Sequence, residues 1–399
     1  MDFVELISKR LGGIDFYKNG YYKFEKYGKL KKEYKENNET ELLDFGIGES
    51  LQLPPSFALD ELSKNILKKG SNIYADNGIE EFKKAASIYL KEIFNLNIGD
   101  YQNQINHVMG AKSALCIIPL AFVNDGDIII TTTPGYDVLA NMGSWLNARI
   151  YNAPLLKCND YLPNLDIIPE EVYQKTKIFI INYPNNPTGA IANKKFYEKL
   201  IDYALKYNFL IVNDNTYGPL TYKENPLSIL SIPRAFDCAI EIHSMSKAFN
   251  MTGFRIGFVV GNATIIDIIK KVKDNVDSGQ YIPIQLAACS AILNEKDFLK
   301  SLKSKYYIRM KKINSILNKY NIESSISKGT FYLYVHVPKN FKSGDEFSRY
   351  LLDNCGIFVI PWDEVEHCVR FSMTFDSNMT DDEFYLEFEN RLKRIYIND

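Results

Sequence analysis

The chain has 399 residues, of which 46% are apolar, 13% aromatic and 24% charged. This is ordinary globular composition, sufficient for two lobes, and it excludes a wholly disordered chain and a small disulfide-stabilised scaffold. Because 47 Lys and Arg residues face 49 Asp and Glu residues, the formal charge is only −2, and nucleic acid is not expected as a main partner.

The expected location of the chain follows from its apolar and cysteine content. The longest apolar stretch, residues 114–123, contains Pro119 and is far shorter than the ~20 residues that cross a bilayer. The first residues, MDFVEL, place acids where a secretory signal has a basic head. Six scattered cysteines without a C-x-x-C pair are typical of reduced thiols. We therefore expect a cytoplasmic protein without a membrane partner.

The first two parts of the chain differ in character. Residues 1–45, rich in Lys, Tyr and Glu, are expected to form an N-terminal arm and helix that docks on a smaller domain or on a partner subunit. In residues 46–290, helical patterns such as residues 193–207 alternate with apolar runs. Consecutive apolar positions indicate strands covered on both faces, so this part is predicted to be an α/β domain with a largely parallel sheet. The runs lie at residues 128–130, 178–181, 209–212, 239–242 and 257–260.

The last part of the chain, residues 291–399, has a different pattern. A long charged segment at residues 295–320 is typical of a helix, and residues 331–335, FYLYV, alternate as in a strand. These residues predict a smaller α+β domain.

Common nucleotide and metal motifs are not matched. Residues 110–113, GAKS, resemble the end of a P-loop, but Ala111 separates the glycine from the lysine. Residues 46–48, GIG, begin like a dinucleotide fingerprint, yet Leu51 stands where the third glycine belongs. The four histidines show no close ligand spacing, so no metal is predicted.

Lys247 is the first candidate catalytic residue. It lies in SMSKAFNMTGFRIG, residues 244–257, directly after a predicted strand. A lysine at the exit of a strand, flanked by small hydroxyl residues and followed eight positions later by Arg255, suits a Schiff base beside a bound phosphate. Taken alone, Lys247 would more often be a solvated lysine in a polar loop.

Asp214 favours the catalytic interpretation of Lys247 over the solvated one. It follows the strand at residues 209–212, and the carboxyl ends of strands are where open α/β sheets build their sites. A pyridine ring withdraws electrons only while its nitrogen is protonated, and a buried carboxylate keeps it so. Tyr217 and Asn186 are candidates to bind the phenolic oxygen of such a ring. The alternative for Asp214 is an ordinary helix cap.

Together these motifs resemble the class I and II aminotransferases of fold type I. The matching patterns are S-x-S-K-x5-G-x-R-x-G at Lys247, NNPTG at residues 185–189 and D-x-x-Y at residues 214–217. The resemblance covers nearly the whole chain and is strongest to the LL-diaminopimelate aminotransferase-like branch. It implies a large domain with a mostly parallel seven-stranded sheet and a smaller α+β domain. Further matching stretches are residues 46–49, 74–78, 109–112, 132–136, 182–190, 277–279, 361–363 and 369–372.

The resemblance also implies pyridoxal 5'-phosphate as the cofactor. Lys247 would bind it covalently and, once released, carry a proton to and from the substrate, while Asp214 and Tyr217 would tune the ring. Tyr136 would stack on the ring, and Tyr74 would reach the phosphate in a partner subunit, so a homodimer with shared sites is expected. The phosphate would be held by Ser244, Ser246, Arg255, Gly110, Ala111 and Lys112, the last three at the start of a helix over residues 113–122.

Other matching residues imply the substrate contacts. Arg370 would grip the substrate α-carboxylate with its planar fork, assisted by Asn186. Its alternative is a surface ion pair. Ile47 and Gly48 would close over the substrate. The Asn186–Pro187 peptide is expected to be cis, since tight site-forming turns favour that isomer.

The sequence departs from the branch around the entrance of the site. Residues 50–54, SLQLP, replace the usual Pro-Asp, Asp137 replaces a common Pro, and residues 141–145 have diverged. We predict a biosynthetic aminotransferase that moves an amino group from an L-amino acid, LL-diaminopimelate or a similar basic or dicarboxylic one, to a 2-oxo acid such as 2-oxoglutarate.

Two alternatives stay open at this point. One is an oxidase, hydroxylase or cyclase that uses the same site on a basic amino acid such as arginine. The other is a cofactor-binding regulator, which is disfavoured because neither terminus offers a basic DNA-binding helix.

Overall fold

The computed structural model describes residues 3–19 and 23–396, so parts of the predicted N-terminal arm lie outside the described residues. The helices are α1 (Gly13–Asn19), α2 (Lys23–Asn37), α3 (Ser56–Asn65), α4 (Glu80–Phe94), α5 (Tyr101–Gln104), α6 (Ala111–Phe122), α7 (Val138–Trp145), α8 (Glu170–Lys175), α9 (Lys194–Tyr207), α10 (Met245–Ala248), α11 (Ala263–Lys273), α12 (Ile282–Leu293), α13 (Glu295–Lys319), α14 (Gly344–Cys355) and α15 (Asp381–Tyr396). The strands are β1 (Leu43–Asp44), β2 (Ile105–Val108), β3 (Ile128–Thr133), β4 (Arg149–Pro154), β5 (Thr176–Asn182), β6 (Leu210–Asp214), β7 (Ala239–Ser244), β8 (Gly257–Gly261), β9 (Tyr332–His336), β10 (Ile357–Phe358), β11 (Ile360–Trp362) and β12 (Cys368–Ser372).

The larger sheet has seven strands in the order β2-β8-β7-β6-β5-β3-β4. The pairs from β4 through β7 are parallel, and β8 runs antiparallel to both of its neighbours. This confirms the predicted α/β fold with a mostly parallel seven-stranded sheet. In the register, Asn182 at the end of β5 lies opposite Asp214 at the end of β6. The carboxyl ends of β5, β6 and β7 therefore meet at one edge.

The parallel strands in the middle of the larger sheet contribute side chains to two separate cores, one on each face. This explains their runs of apolar residues. In β5, Ile178 and Ile180 pack on one face, and Phe179 and Ile181 pack on the other. This follows from the two-residue period of a strand. Helices α6, α7 and α11 cover the first face, while α4, α9 and α12 cover the second. Helix α6 begins two residues earlier than predicted, at Ala111.

The smaller sheet is antiparallel, with the order β11-β12-β9. Alternate residues of β12, Val369 and Phe371, pack into an apolar core with helices α13, α14 and α15. Cys368 and Arg370 consequently point to the opposite face of this sheet. The predicted helix at residues 295–320 and strand at residues 331–335 are both present.

The N-terminal part packs on the smaller sheet's region. Strand β1 pairs in parallel with β10, and Tyr27 of α2 donates a hydrogen bond of 3.1 Å to Asp345 of α14. The domain boundaries at residues 45 and 290 stay a prediction. Among the described residues, no helix is both long and apolar enough to cross a membrane.

Candidate active site

A cavity of about 480 Å³ lies at the carboxyl edge of the parallel strands. This volume is in the range of sites for small molecules. The larger sheet contributes Asp214 at the end of β6 and Ser244 at the end of β7, helix α10 contributes Lys247, and the smaller sheet contributes Arg370. The cavity therefore lies between the two sheets.

The structure brings nearly all of the predicted site residues to this cavity. Gly110 lies behind it, next to Arg255, and Tyr74 is the exception, since its side chain is 82% exposed and does not line the cavity. Its predicted role concerns a partner subunit and stays a prediction. The predicted residues that line the cavity are Ile47, Gly48, Ala111, Lys112, Tyr136, Asn186, Asp214, Tyr217, Ser244, Ser246, Lys247, Arg255 and Arg370.

The amine of Lys247 projects from the short helix α10 into the cavity. Its Nζ donates a hydrogen bond of 2.5 Å to the carbonyl oxygen of Gly48. Burial lowers the pKa of Lys247 from 10.5 to about 8, against the negative charge of Glu49, which raises it, and with help from the nearby charge of Arg370. A neutral amine, the nucleophilic form, is therefore accessible near pH 8.

This pKa can be tested directly on the cofactor-free chain. Only the neutral amine reacts with an acylating reagent, so labelling of Lys247 is expected to rise with pH, to be half-maximal near pH 8 and to level off above that. The measurement is mass spectrometry of the peptide that contains Lys247. In a Glu49→Gln variant the plateau should move to lower pH, because the charge that raises the pKa is gone. Labelling that still increased toward pH 10.5 would contradict the prediction.

Asp214 is held in a fixed orientation by its neighbours. Its side chain is buried, and Oδ1 accepts hydrogen bonds from the Thr216 backbone at 3.1 Å and the Thr216 hydroxyl at 2.6 Å. Burial raises the pKa of Asp214, while the Thr216 hydrogen bonds and the charge of Lys247 oppose that change. These contacts with Thr216 partly match the capping role that was the alternative for Asp214. Among the described residues, however, they occupy only Oδ1. Oδ2 accepts no hydrogen bond from the described residues, and Asp214 lines the cavity, so this oxygen is available to a bound ligand.

A second network fixes the backbone around Asp214. Asn182 donates a hydrogen bond of 2.7 Å from Nδ2 to the carbonyl oxygen of Asp214. Its Oδ1 accepts one of 2.8 Å from the backbone N–H of Asn186. The strand end that carries Asp214 is thereby tied to the turn that carries Asn186, and the Asn186–Pro187 peptide is cis, as predicted.

The other end of the cavity is an anion cradle. Gly110 precedes helix α6 with φ +77°, and a Cβ atom there would lie 2.6 Å from Nη2 of Arg255. Arg255 is held by a hydrogen bond of 2.7 Å from Nη1 to the carbonyl oxygen of Thr252. The start of the 12-residue helix α6 and the hydroxyls of Ser244 and Ser246 also face this end. A phosphate dianion fits this cradle, because helix N-termini and arginine both favour it.

Arg370 belongs to strand β12 of the smaller sheet and lines the cavity. It is 1% exposed, and its guanidinium donates hydrogen bonds of 2.8 Å to Oδ1 of Asn186 and 3.1 Å to the carbonyl oxygen of Gly46. It also lies 4.2 Å from the ring centroid of Tyr332. Because its side chain is buried, Arg370 does not form the surface ion pair that was the alternative. Its role as the receptor of a substrate carboxylate stays a prediction.

Sequence reasoning missed several cavity residues, of which Tyr332 is the most informative. The hydroxyl groups of Tyr332 and Tyr217, which both line the cavity, share a hydrogen bond of 3.0 Å. In the sequence, Tyr332 is one apolar position of an alternating strand, and no local signal marks it. Glu49 did carry a signal, since it follows Gly48 directly. Other missed lining residues are Tyr27, Lys31, Asn182, Thr216 and Thr252.

Comparison with known proteins places these features in context. Residues 40–384 match the family model of aminotransferase class I and II. The LL-diaminopimelate aminotransferase of Methanocaldococcus jannaschii is 40% identical over 405 aligned positions, with 97% of both chains covered. The LL-diaminopimelate aminotransferase of Methanococcus maripaludis is 38% identical, covering 97% of this chain and 94% of the relative.

Solved structures resemble the fold closely. Substrate-bound BacF from Bacillus subtilis has a TM-score of 0.87 and 29% identity, covering 93% of this chain and 94% of that one. An aminotransferase from Staphylococcus aureus has a TM-score of 0.85 and 26% identity, covering 97% of this chain and 100% of that one.

Proposed function

Because the chain belongs to the class I and II aminotransferases, which depend on pyridoxal 5'-phosphate, we propose that it moves an amino group from LL-diaminopimelate to a 2-oxo acid such as 2-oxoglutarate. The observation that carries the reaction class is the meeting of Lys247, Asp214 and Arg370 in one cavity. The names of the relatives at 40% and 38% identity support the donor.

The residues of the chain divide the work of binding. The cradle of Arg255, Ser244, Ser246 and the start of α6 holds the phosphate. Asp214 would face the pyridine nitrogen and would keep it protonated, because a buried carboxylate favours an adjacent cation. Arg370 and Asn186 bind the α-carboxylate of the substrate. When bound, the cofactor supplies an electron-withdrawing ring.

Lys247 performs the proton transfer. Its amine would hold the cofactor covalently between turnovers and, once free, would take the proton from Cα of the amino acid. A pKa of about 8 suits this task, because a base works best when its pKa lies near the operating pH. Gly48, whose carbonyl oxygen accepts the Lys247 hydrogen bond, holds the amine at the cavity wall.

Two charged side chains that line the cavity have no part in the roles described above. They support an amino donor that is ionised at its distal end. Glu49 lines the cavity and is near enough to raise the pKa of Lys247. Lys31 of α2 lines it too and pairs with Asp44. Diaminopimelate carries an ammonium and a carboxylate at each end, so one negative and one positive side chain suit the end that does not react.

An exposed apolar surface supports a homodimer. Leu67 is 91% exposed, Tyr74 82% and Ile73 63%, and Tyr281, which is hydrogen-bonded to the backbone of Ile66, extends this surface. A second copy would cover it and would bring Tyr74 to the partner's site. All six cysteines are free thiols, which supports a reducing, cytoplasmic location.

The alternative chemistry on arginine has less support. The two relatives described above are both named aminotransferases, and neither is named an oxidase, hydroxylase or cyclase. Amino transfer is therefore the function that we propose.

The donor can be tested with the purified chain loaded with cofactor. We expect LL-diaminopimelate to be consumed with one glutamate formed for each 2-oxoglutarate, while dissolved oxygen stays constant. Arginine serves as the comparison and is expected to give no glutamate. Oxygen uptake with arginine, or no glutamate from LL-diaminopimelate, would contradict the proposal.

A further inference from the structure

Three potential metal ligands meet on the smaller sheet, away from the cavity. They are His336 at the end of β9, Cys368 at the start of β12 and Glu366 in the turn before β12. The register places Cys368 opposite His336. One ligand atom from each of the three residues lies within 4.8 Å of the others.

The distances match a tetrahedral ion. A zinc ion binds sulfur at about 2.3 Å and nitrogen at about 2.0–2.1 Å, so a tetrahedral angle sets the two ligand atoms roughly 3.6 Å apart. The observed distance between Sγ of Cys368 and Nδ1 of His336 is 3.6 Å. From this geometry we propose that His336, Glu366 and Cys368 bind a zinc ion, a site that is independent of the proposed aminotransferase reaction.

The charges around the three residues favour a cation. Oε2 of Glu366 is shielded from solvent and makes no hydrogen bond to the described residues. Asp363 and Glu366 both lie near enough to act on Cys368 as negative charges, and Lys157 acts on it as a positive charge. A divalent cation offsets this excess of negative charge and gives the Glu366 oxygen a partner. Binding through sulfur replaces the thiol proton of Cys368, which passes to water.

A fourth residue orients the imidazole. Tyr161, which precedes β5 in the larger part of the chain, lies with its hydroxyl 3.3 Å from Nε2 of His336. Metal-binding histidines are usually held in this way through their second nitrogen. His336 and Tyr161 also line a cavity of about 290 Å³ beside the cluster, which leaves room for water as the fourth ligand.

The site lies on the same face of the sheet as the carboxylate receptor. Cys368 and Arg370 are two residues apart in β12, so their side chains share one face. Trp362 pairs with Cys368 across the sheet, and its ring centroid is 5.8 Å from the Arg370 guanidinium. A zinc ion therefore joins β9 to the strand that carries Arg370, and it stiffens the support of that arginine.

The test is the metal content of the full chain loaded with cofactor. After equilibration with Zn²⁺ and dialysis against metal-free buffer, we expect about one zinc ion per chain by mass spectrometry of the elements. The variants His336→Gln and Cys368→Ser should lose it. A Tyr161→Phe variant should bind zinc about 10–100-fold more weakly, as expected when the residue that orients a ligand is removed. The matched control His367→Gln, with an exposed side chain next to Cys368, should keep the ion.

A second measurement covers the case in which a variant fails to fold. Co²⁺ bound to the parent chain through a thiolate gives an intense absorption band in the near ultraviolet, and this band needs no variant. The proposal would be overturned if the parent chain held no more zinc than the Cys368→Ser variant, or if cobalt bound without the thiolate band. The contact between Cys368 and His336 would then be only a hydrogen bond between the thiol and the imidazole.

Discussion

Replacing Lys247 by alanine is expected to abolish covalent binding of the cofactor and to lower kcat by about 10²–10⁴-fold or more, the usual contribution of a positioned proton-transfer group. The residue has two tasks, anchor and base. Among the described residues, two other lysines line the cavity, and one of them, Lys31, pairs with Asp44. Lys112 also lines the cavity, but at the first turn of α6, on the side of the anion cradle. The measurement is borohydride reduction followed by peptide mass spectrometry, together with steady-state turnover.

Control variants show whether the positive charge or the nucleophilic amine of Lys247 is required. Lys247→Arg keeps a cation at the position but removes the nucleophilic amine, so it should fail like the alanine variant. Lys339→Ala, at an exposed position far along the chain, should behave as the parent. Circular dichroism must show a folded Lys247→Ala chain, since that substitution removes one hydrogen bond to the loop at Gly48. Parental turnover in the alanine variant would remove Lys247 from the mechanism.

Replacing Arg370 by alanine is expected to weaken the binding of amino acid substrates by about 2–5 kcal/mol, the cost of losing one partner of a buried charge pair. This corresponds to a KM increase of roughly 30- to 4,000-fold, since each 1.4 kcal/mol is a factor of ten. The estimate applies because Arg370 is 1% exposed and has little water to replace the lost interaction. KM for the amino donor is the quantity to measure.

A substrate without a carboxylate provides the comparison for Arg370. A simple primary amine cannot use the guanidinium fork, so its slow reaction should be nearly the same in the parent and in Arg370→Ala. Arg370→Lys keeps the charge but not the two-pronged geometry, and it should recover only part of the affinity. Equal losses for the amine and the amino acid would mean that Arg370 supports the structure around Asn186 and Gly46 and does not bind substrate.

The charges of the cavity explain why these effects should be large. Lys247, Arg255 and Arg370 bring three cations to one enclosed space, and both arginines help to lower the pKa of Lys247. Asp214 and Glu49 offset only part of this charge. A cavity of this kind favours ligands with several negative charges, such as a phosphate together with a carboxylate.

The fold class and a candidate catalytic lysine could be predicted from the sequence. Strands β3, β5 and β6 contain runs of consecutive apolar residues because both faces are covered, and this pattern is local. Residues 244–257 are also contiguous, so the lysine, both serines and Arg255 could be identified together. Open α/β sheets bind ligands at the carboxyl ends of their parallel strands. The position of Asp214 at such an end made it a candidate from the sequence.

The contacts between residues that are distant in the sequence depend on the tertiary structure. Arg370 and Asn186 are 184 positions apart, and their hydrogen bond depends on how the smaller sheet docks against the larger one. The contact of Tyr332 with Tyr217 and the lowered pKa of Lys247 depend on the same docking, since it removes water from the cavity. His336 and Cys368 have no ligand spacing in the sequence, and they meet because the register of β9 and β12 sets them opposite each other. Strand pairing and sheet docking join residues that are far apart in the sequence, so the spacing of residues within one segment does not identify these contacts.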